Sequence, residues 1–276
     1  ALKIIKSNDD YLSAKEREKN FQRFKREMEI LSRLHNPFIL SVVDVIEIEI
    51  NGQKVVGLIT DMVEGSNLEG VIKREKGGMS PQKAVEFAGE LTIALETLRK
   101  VSLVHRDLKP ANIFLQDMPD GKQIVRLGDF GIAAFEELMG EERKENPPEP
   151  WETIKKKYNA RITNAGMVRG SPPYMSPEQV SAGLMTHRSD LYSLGVVIYE
   201  MISGKRLFDA VSANDTMIKH LTEKPLTLYD AGYKDIPKWL DGIVMKLLSK
   251  NPADRFYSAS EVFAALKAGV KEDYPE

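Results

Sequence analysis

At 276 residues, with 42% apolar and 29% charged side chains, the chain is long enough for one large domain or two lobes with an ample core. A formal net charge of −2 argues against nucleic-acid binding, and the absence of cysteine excludes disulfides, thiolate metal sites and cysteine nucleophiles. No apolar run reaches the ~18–20 residues that span a bilayer and no signal peptide is visible, so the expectation is a cytoplasmic protein without a membrane segment.

Ala1 to Ile5 reads as a short apolar strand carrying Lys3, and residues 7–20 as a polar loop or fraying helix start. Phe21, Phe24, Met28 and Leu31 then recur at helical spacing, with Glu27 flanking the stripe and Glu29 further from it. Val42–Ile50 and Lys54–Thr60 are strand-like runs around Asn51-Gly52, a strong hairpin signal. The second run leads into Thr60-Asp61-Met62-Val63-Glu64-Gly65, which taken alone is a plain interdomain turn. Ser80 suits a helix N-cap and Pro81 a first helical position, and Val85, Ala88, Leu91, Ala94, Leu95 and Leu98 give that helix its buried face. A second hairpin is predicted from Ile113-Phe114-Leu115 and Ile124–Leu127 around Pro119-Asp120-Gly121.

About 50 residues separate Asp129 from Glu178, a long connection for a compact domain. Residues 136–152 are charged and Pro-rich, so an insert of about 136–160 is expected, with a helical piece around Trp151–Tyr158. Leu191–Ile202 reads as a buried helix despite Ser193, Gly195 and Glu200; Asp190 precedes it and Gly204 ends it. Two more amphipathic helices follow, Leu240–Leu248 and Ala259–Leu266, with Asn251-Pro252-Ala253-Asp254-Arg255-Phe256 between them.

The chemistry concentrates in His105-Arg106-Asp107-Leu108-Lys109-Pro110-Ala111-Asn112, and Asp129-Phe130-Gly131 begins 17 residues after Asn112. Each tripeptide alone is more often an ordinary turn; the two in this order, with a Lys and an Asn at set offsets and a hairpin between, are specific. They resemble the catalytic loop and metal-binding turn of protein kinases. In phosphoryl transfer one carboxylate orients the attacking hydroxyl, and oxygen ligands hold Mg²⁺ beside the phosphates. Asp107 fits the first role, Asn112 and Asp129 the second, and Lys109 can neutralise charge on the group in flight.

From Lys3 to about Leu266 the chain resembles bacterial Ser/Thr protein kinases of the eukaryotic-like type. The resemblance implies an α+β, two-lobed protein-kinase-like fold, with a partial β-rich small lobe over residues 1–64 and a larger, mainly helical lobe over 65–276. It implies ATP with Mg²⁺ (or Mn²⁺) as cofactors and a protein substrate. Lys3 would bind phosphates and pair with Glu27; Thr60 would be the gatekeeper behind the adenine; Asp61 and Val63 would belong to the hinge, and Leu115 to the pocket. Lys109 and Ser171 favour Ser/Thr over Tyr acceptors. Ser176-Pro177-Glu178 stands where Ala-Pro-Glu is usual, with Arg255 the buried partner of Glu178. Asp190 would brace the catalytic loop. Arg106 implies control by phosphorylation of the activation loop, with Thr163 the candidate site and Thr153, Ser171 and Tyr158 the other hydroxyls there; of these Ser171 would instead be structural, contacting Asp107 and Lys109.

One departure stands out: no Gly-x-Gly-x-x-Gly occurs in the chain, where the family carries that loop ahead of Lys3. The small sheet as read has an exposed edge that a partner element would cover. Two rival readings therefore stand beside an active kinase: a catalytically impaired kinase-fold scaffold and a small-molecule phosphotransferase.

Overall fold

The computed structural model describes residues 1–5, 22, 25–50, 53–75, 77–129, 171–181 and 185–273. The Asn51-Gly52 turn, Phe130, Gly131, the 136–160 insert with its Trp151–Tyr158 piece, and Thr163 lie outside them.

Strands β1 (Leu2–Ile5), β2 (Val42–Ile50) and β3 (Gln53–Thr60) form an antiparallel sheet in the order β1-β3-β2. Its register sets Lys3 opposite Leu58 and Val45 opposite the same residue on the other side. Helix α1, over 25–32, buries Met28 and Leu31 together with Glu27.

A second sheet joins β4 (Gly65–Asn67), β5 (Ile113–Asp117) and β6 (Gln123–Leu127) in that order. Gly121 closes the β5–β6 turn at φ 80°, a conformation natural to glycine. The first sheet's lead-in reaches the second: Leu127 N–H donates to Phe38 O and Leu40 N–H to Leu127 O, both at 2.8 Å.

After the short α2 (Leu68–Arg74), α3 spans Pro81–Lys100, and the Ser80 hydroxyl accepts from Lys83 N–H as the N-cap. The very short α4 (Pro177–Val180) starts from a capping box between Ser176 and Gln179. The central α5 (His187–Ser203) is buried from Ser189 to Ser203, so it is enclosed all round. It begins three residues before Asp190, capped by Thr186, rather than after Asp190 as the sequence suggested; Gly204 caps its far end at φ 66°. Helices α6 (Ala213–Thr222), α7 (Lys238–Leu247) and α8 (Ala259–Asp273) complete the mainly helical part, which with the two small sheets gives an α+β architecture.

Each residue that interrupts the apolar run of α5 has a use. Ser193 Oγ donates to Tyr174 O at 2.8 Å, and Glu200 is bonded to the Tyr174 hydroxyl. Gly195 lies against α7, where an added Cβ would come within 2.8 Å of Leu247 Cβ. Two of the three therefore hold the segment before α4, and the third lets two helices approach.

That segment is fixed further by a fully buried ion pair. Arg255 Nη1 and Nη2 donate to the two Glu178 carboxylate oxygens at 2.7 and 2.9 Å, with side-chain exposures of 0% and 2%. The remaining guanidinium hydrogens go to Ser249 O, Arg188 O and Lys250 O at 2.8–3.0 Å, so no donor direction is wasted. Burial pushes the Glu178 carboxyl up, but the Arg255 charge and hydrogen bonds outweigh it and leave it below its ordinary value.

Removing one partner strands a charge, so Arg255→Ala is expected to cost about 3–5 kcal/mol in urea denaturation. Because the folded carboxyl sits below the unfolded one, this stabilisation is complete above the unfolded value of about 4.3 and fades as the pH falls through the folded value. A wild-type–variant gap in ΔG that does not narrow on acidification would contradict this assignment.

Candidate active site

The loop from α3 to β5 carries the predicted constellation, and its shape is imposed on the main chain. Arg106 has φ 71°, in the left-handed region that non-glycine residues avoid at a cost of about 1–3 kcal/mol. The Asp190 carboxylate accepts from His105 N–H at 2.7 Å and Arg106 N–H at 2.9 Å, while the Gln179 amide donates to Arg106 O at 2.6 Å. Burial pushes the Asp190 carboxyl up, against the His105 and Arg106 charges and backbone N–H groups that favour its ionised form. The buried His105 ring bonds Gly128 O at 3.0 Å, and Gly128 N–H donates to Asn112 O at 3.0 Å. The loop and the turn before Asp129 are thereby tied together.

Five predicted residues converge there. Lys109 Nζ donates to Asp107 Oδ2 at 2.6 Å and to Ser171 Oγ at 2.7 Å, bridging the loop to the segment after the insert. Asn112 Nδ2 donates to Asp107 O at 2.9 Å, Asp107 Oδ2 at 3.0 Å and Asp129 O at 3.3 Å. Asp129 is itself left-handed, at φ 51°. The Asn112 amide spends its hydrogens holding the loop, which leaves its Oδ1 without a protein hydrogen bond among the described residues.

Beside them opens a mainly apolar cleft of about 200 Å³, lined by Leu40, Val42, Leu58, Thr60, Phe114 and Asp129 and bounded by the 61–63 backbone. Thr60, Asp61 and Val63 line it. Leu115 does not: strand alternation turns it away from the cleft, fully buried, and Phe114 lines the cleft instead. Glu27 is buried on α1; Lys3 is placed by its backbone in β1. A groove of about 510 Å³ runs past Lys109, Ser171, Tyr174 and Thr216.

Gln179 and Phe114 are site residues that the sequence reading did not name. The Ser176-Gln179 capping-box pattern signalled Gln179's local role but not its reach to Arg106. Phe114 was accessible from the alternation of β5 once the core-facing side was known.

The geometry corresponds to a known family. Residues 1–265 match the protein kinase domain family, and the chain belongs to it. It is 32% identical over 274 residues, 99% of its length, to a probable serine/threonine-protein kinase of Clostridium perfringens. It is 33% identical over 92% of its length to the serine/threonine-protein kinase pkn3 of Myxococcus xanthus, and 31% identical over 93% to PknB of Mycobacterium tuberculosis. The chain covers 34%, 43% and 37% of those relatives, so it spans less than half of each. The crystal structure of the PknI kinase domain of M. tuberculosis has the same fold, with a TM-score of 0.64 at 23% identity, over 97% of this chain and 84% of that one. No helix among the described residues is long and apolar enough to cross a membrane.

Asp190→Asn sets an amide hydrogen against one of two loop N–H groups. It is expected to lower stability by about 1–3 kcal/mol and to speed amide exchange at His105 and Arg106. Unchanged exchange at both positions in the variant would show that Asp190 does not hold the loop.

Proposed function

We propose that this domain transfers the γ-phosphoryl group of ATP to Ser or Thr hydroxyls of a protein substrate. The observation that carries the reading is the bridge through Lys109, which places the Asp107 carboxylate beside the Ser171 segment. Asp107 Oδ2 receives Lys109 and Asn112, so Oδ1 is the oxygen left to orient and deprotonate an acceptor hydroxyl. Lys109 supplies positive charge where the phosphoryl group is attacked. The names of the relatives as serine/threonine kinases support the choice of acceptor.

The residues fit the nucleotide and metal. The cleft is apolar on its walls, as an adenine ring requires, with the 61–63 backbone offering hydrogen bonds at its edge. Asn112 and Asp129 would hold Mg²⁺ (or Mn²⁺). Among the described residues there is no cluster of three His, Cys, Asp or Glu for a protein cage, which suits an ion that draws its other ligands from water and phosphate. When bound, Mg²⁺-ATP supplies the phosphoryl group and neutralises its charge. Lys3 and Glu27 would form the phosphate-side pair, with Thr60 behind the base and Phe114 as its floor. Such a reaction draws on the cytoplasmic nucleotide pool, and we place its action there. A partner element would cover an outer strand of the β1-β3-β2 sheet.

With labelled ATP-Mg²⁺ and an acceptor protein, Asp107→Asn is expected to lose about 10²–10⁴-fold in turnover while keeping its fold by circular dichroism. Retention of full activity would overturn the mechanism. Regulation belongs to the same reading: phosphate on Thr163 would pair with Arg106 and tie that segment to the catalytic loop. Mass spectrometry after incubation with ATP-Mg²⁺ should find phosphate on Thr163, and Thr163→Ala should be less active. An unphosphorylated 150–171 stretch together with an unimpaired variant would rule this switch out.

A further inference from the structure

The turn Pro172–Tyr174, next to Ser171, has an unusual constraint. Neither Pro172 nor Pro173 has an N–H, so this stretch is held largely through its carbonyls. Tyr174 O accepts from Ser193 Oγ at 2.8 Å. Pro173 O, one residue earlier, lies 3.0 Å from His220 Nε2, on a fully buried side chain of α6. The other ring nitrogen, Nδ1, lies 2.9 Å from the Tyr192 hydroxyl. Lys250 Nζ, in turn, donates to that hydroxyl at 3.3 Å and to Lys219 O at 3.4 Å.

These contacts have one consistent direction. A carbonyl only accepts, so His220 Nε2 carries the hydrogen; Nδ1 then accepts from the Tyr192 hydroxyl, whose oxygen is left to receive Lys250 Nζ. The result is a chain from Lys250 through Tyr192 and His220 to Pro173. It requires a neutral imidazole, and burial, with the Lys250 charge, pushes His220 down to about 3. Phe208 closes the site, edge-on to the His220 ring at 5.0 Å with Lys250 over its own face at 4.8 Å. Arg255 stacks on Tyr192 at 4.9 Å, so the far end of the chain is seated on the residue that holds Glu178.

We propose that His220 is a positioning residue for the protein substrate: it fixes the Pro173 carbonyl, and through it the wall of the groove beside Ser171 and Lys109. The inference rests on the phosphotransfer reading above and adds a residue outside the catalytic loop. His220 touches no reacting atom. Its effect should fall on the acceptor protein rather than on nucleotide or chemistry.

The test compares the wild-type chain with His220→Leu and His220→Gln, using labelled ATP-Mg²⁺ and dephosphorylated casein. Leu removes both hydrogen bonds; Gln keeps a donor for Pro173. His220→Leu should raise the KM for casein about tenfold, the scale of one buried hydrogen bond left unmade. The KM for ATP and kcat should stay within about twofold, and His220→Gln should recover most of the loss. A role confined to stability would lower the melting temperature of His220→Leu and leave the casein KM of the folded enzyme unchanged; that result, or an equal rise in the KM for ATP, overturns the proposal. If the wild type phosphorylates neither casein nor itself, the phosphotransfer reading falls first, and this role with it. Histidine-labelled NMR of the wild type gives a check free of activity: His220 should remain neutral with its hydrogen on Nε2 down to about pH 5, where ordinary histidines are charged. An Nδ1–H tautomer or an ordinary titration would overturn the chain's direction.

Discussion

The Glu178–Arg255 pair is the constraint on which the site's arrangement depends. It joins a four-residue helix, too short to hold itself, to the loop between α7 and α8. Gln179 follows Glu178 and reaches Arg106 O; Ser176 and Tyr174 precede it. Fixing Glu178 therefore fixes what lies on both sides: the brace on the catalytic loop and the turn beside the groove. The pair gains little over an apolar substitute in raw stability, since desolvation offsets most of its attraction. Its worth is geometric, because a bidentate contact admits one orientation where an apolar contact admits several.

Much of this was legible in the sequence where local chemistry and tertiary use agree. Ser80-Pro81 announced α3, the two hairpins were marked by their turns, and the spacing from Asp107 to Asp129 marked the convergence. Local patterning does not show which distant group a polar residue serves: the Asp190 brace and the Glu178–Arg255 pair came from the family resemblance, and the reach of Gln179 to Arg106 from neither. Asp190 looked like the residue before a helix because a carboxylate inside a buried helix is costly; the cost is met by two N–H groups 84 and 85 residues away in sequence. Helix α6 went unnamed because its buried face includes Thr216 and His220 alongside Met217 and Leu221. Leu115, expected in the pocket, is core. The cleft lies on the strand's other face.

The two halves of the site are organised differently. The cleft is a matter of surfaces: Leu40, Val42, Leu58 and Phe114 bring apolar area from both sheets, and the Phe38–Leu127 and Leu40–Leu127 hydrogen bonds register one sheet against the other. The catalytic loop is a matter of directed bonds: α4 and α5 grip its backbone at His105 and Arg106, while His105, Lys109 and Asn112 tie it to Gly128, Ser171 and Asp129. Positioning of the charged groups thus comes from the rigid, buried part of the molecule. Preorganised charge in the active site needs such a frame, since electrostatic stabilisation is lost when its dipoles can turn.

The left-handed kink at Arg106 has an evolutionary consequence. Asp190 and Gln179 grip only the N–H and C=O groups of this stretch, so the bend is specified by neighbours and not by the identity of the side chain at 106. A lineage can exchange that arginine for another unbranched residue and keep the loop's path, and with it the placement of Asp107. Under the regulation proposed above, dependence on a phosphate would be acquired or abandoned by single substitutions at 106 while the path of the loop stays unaltered.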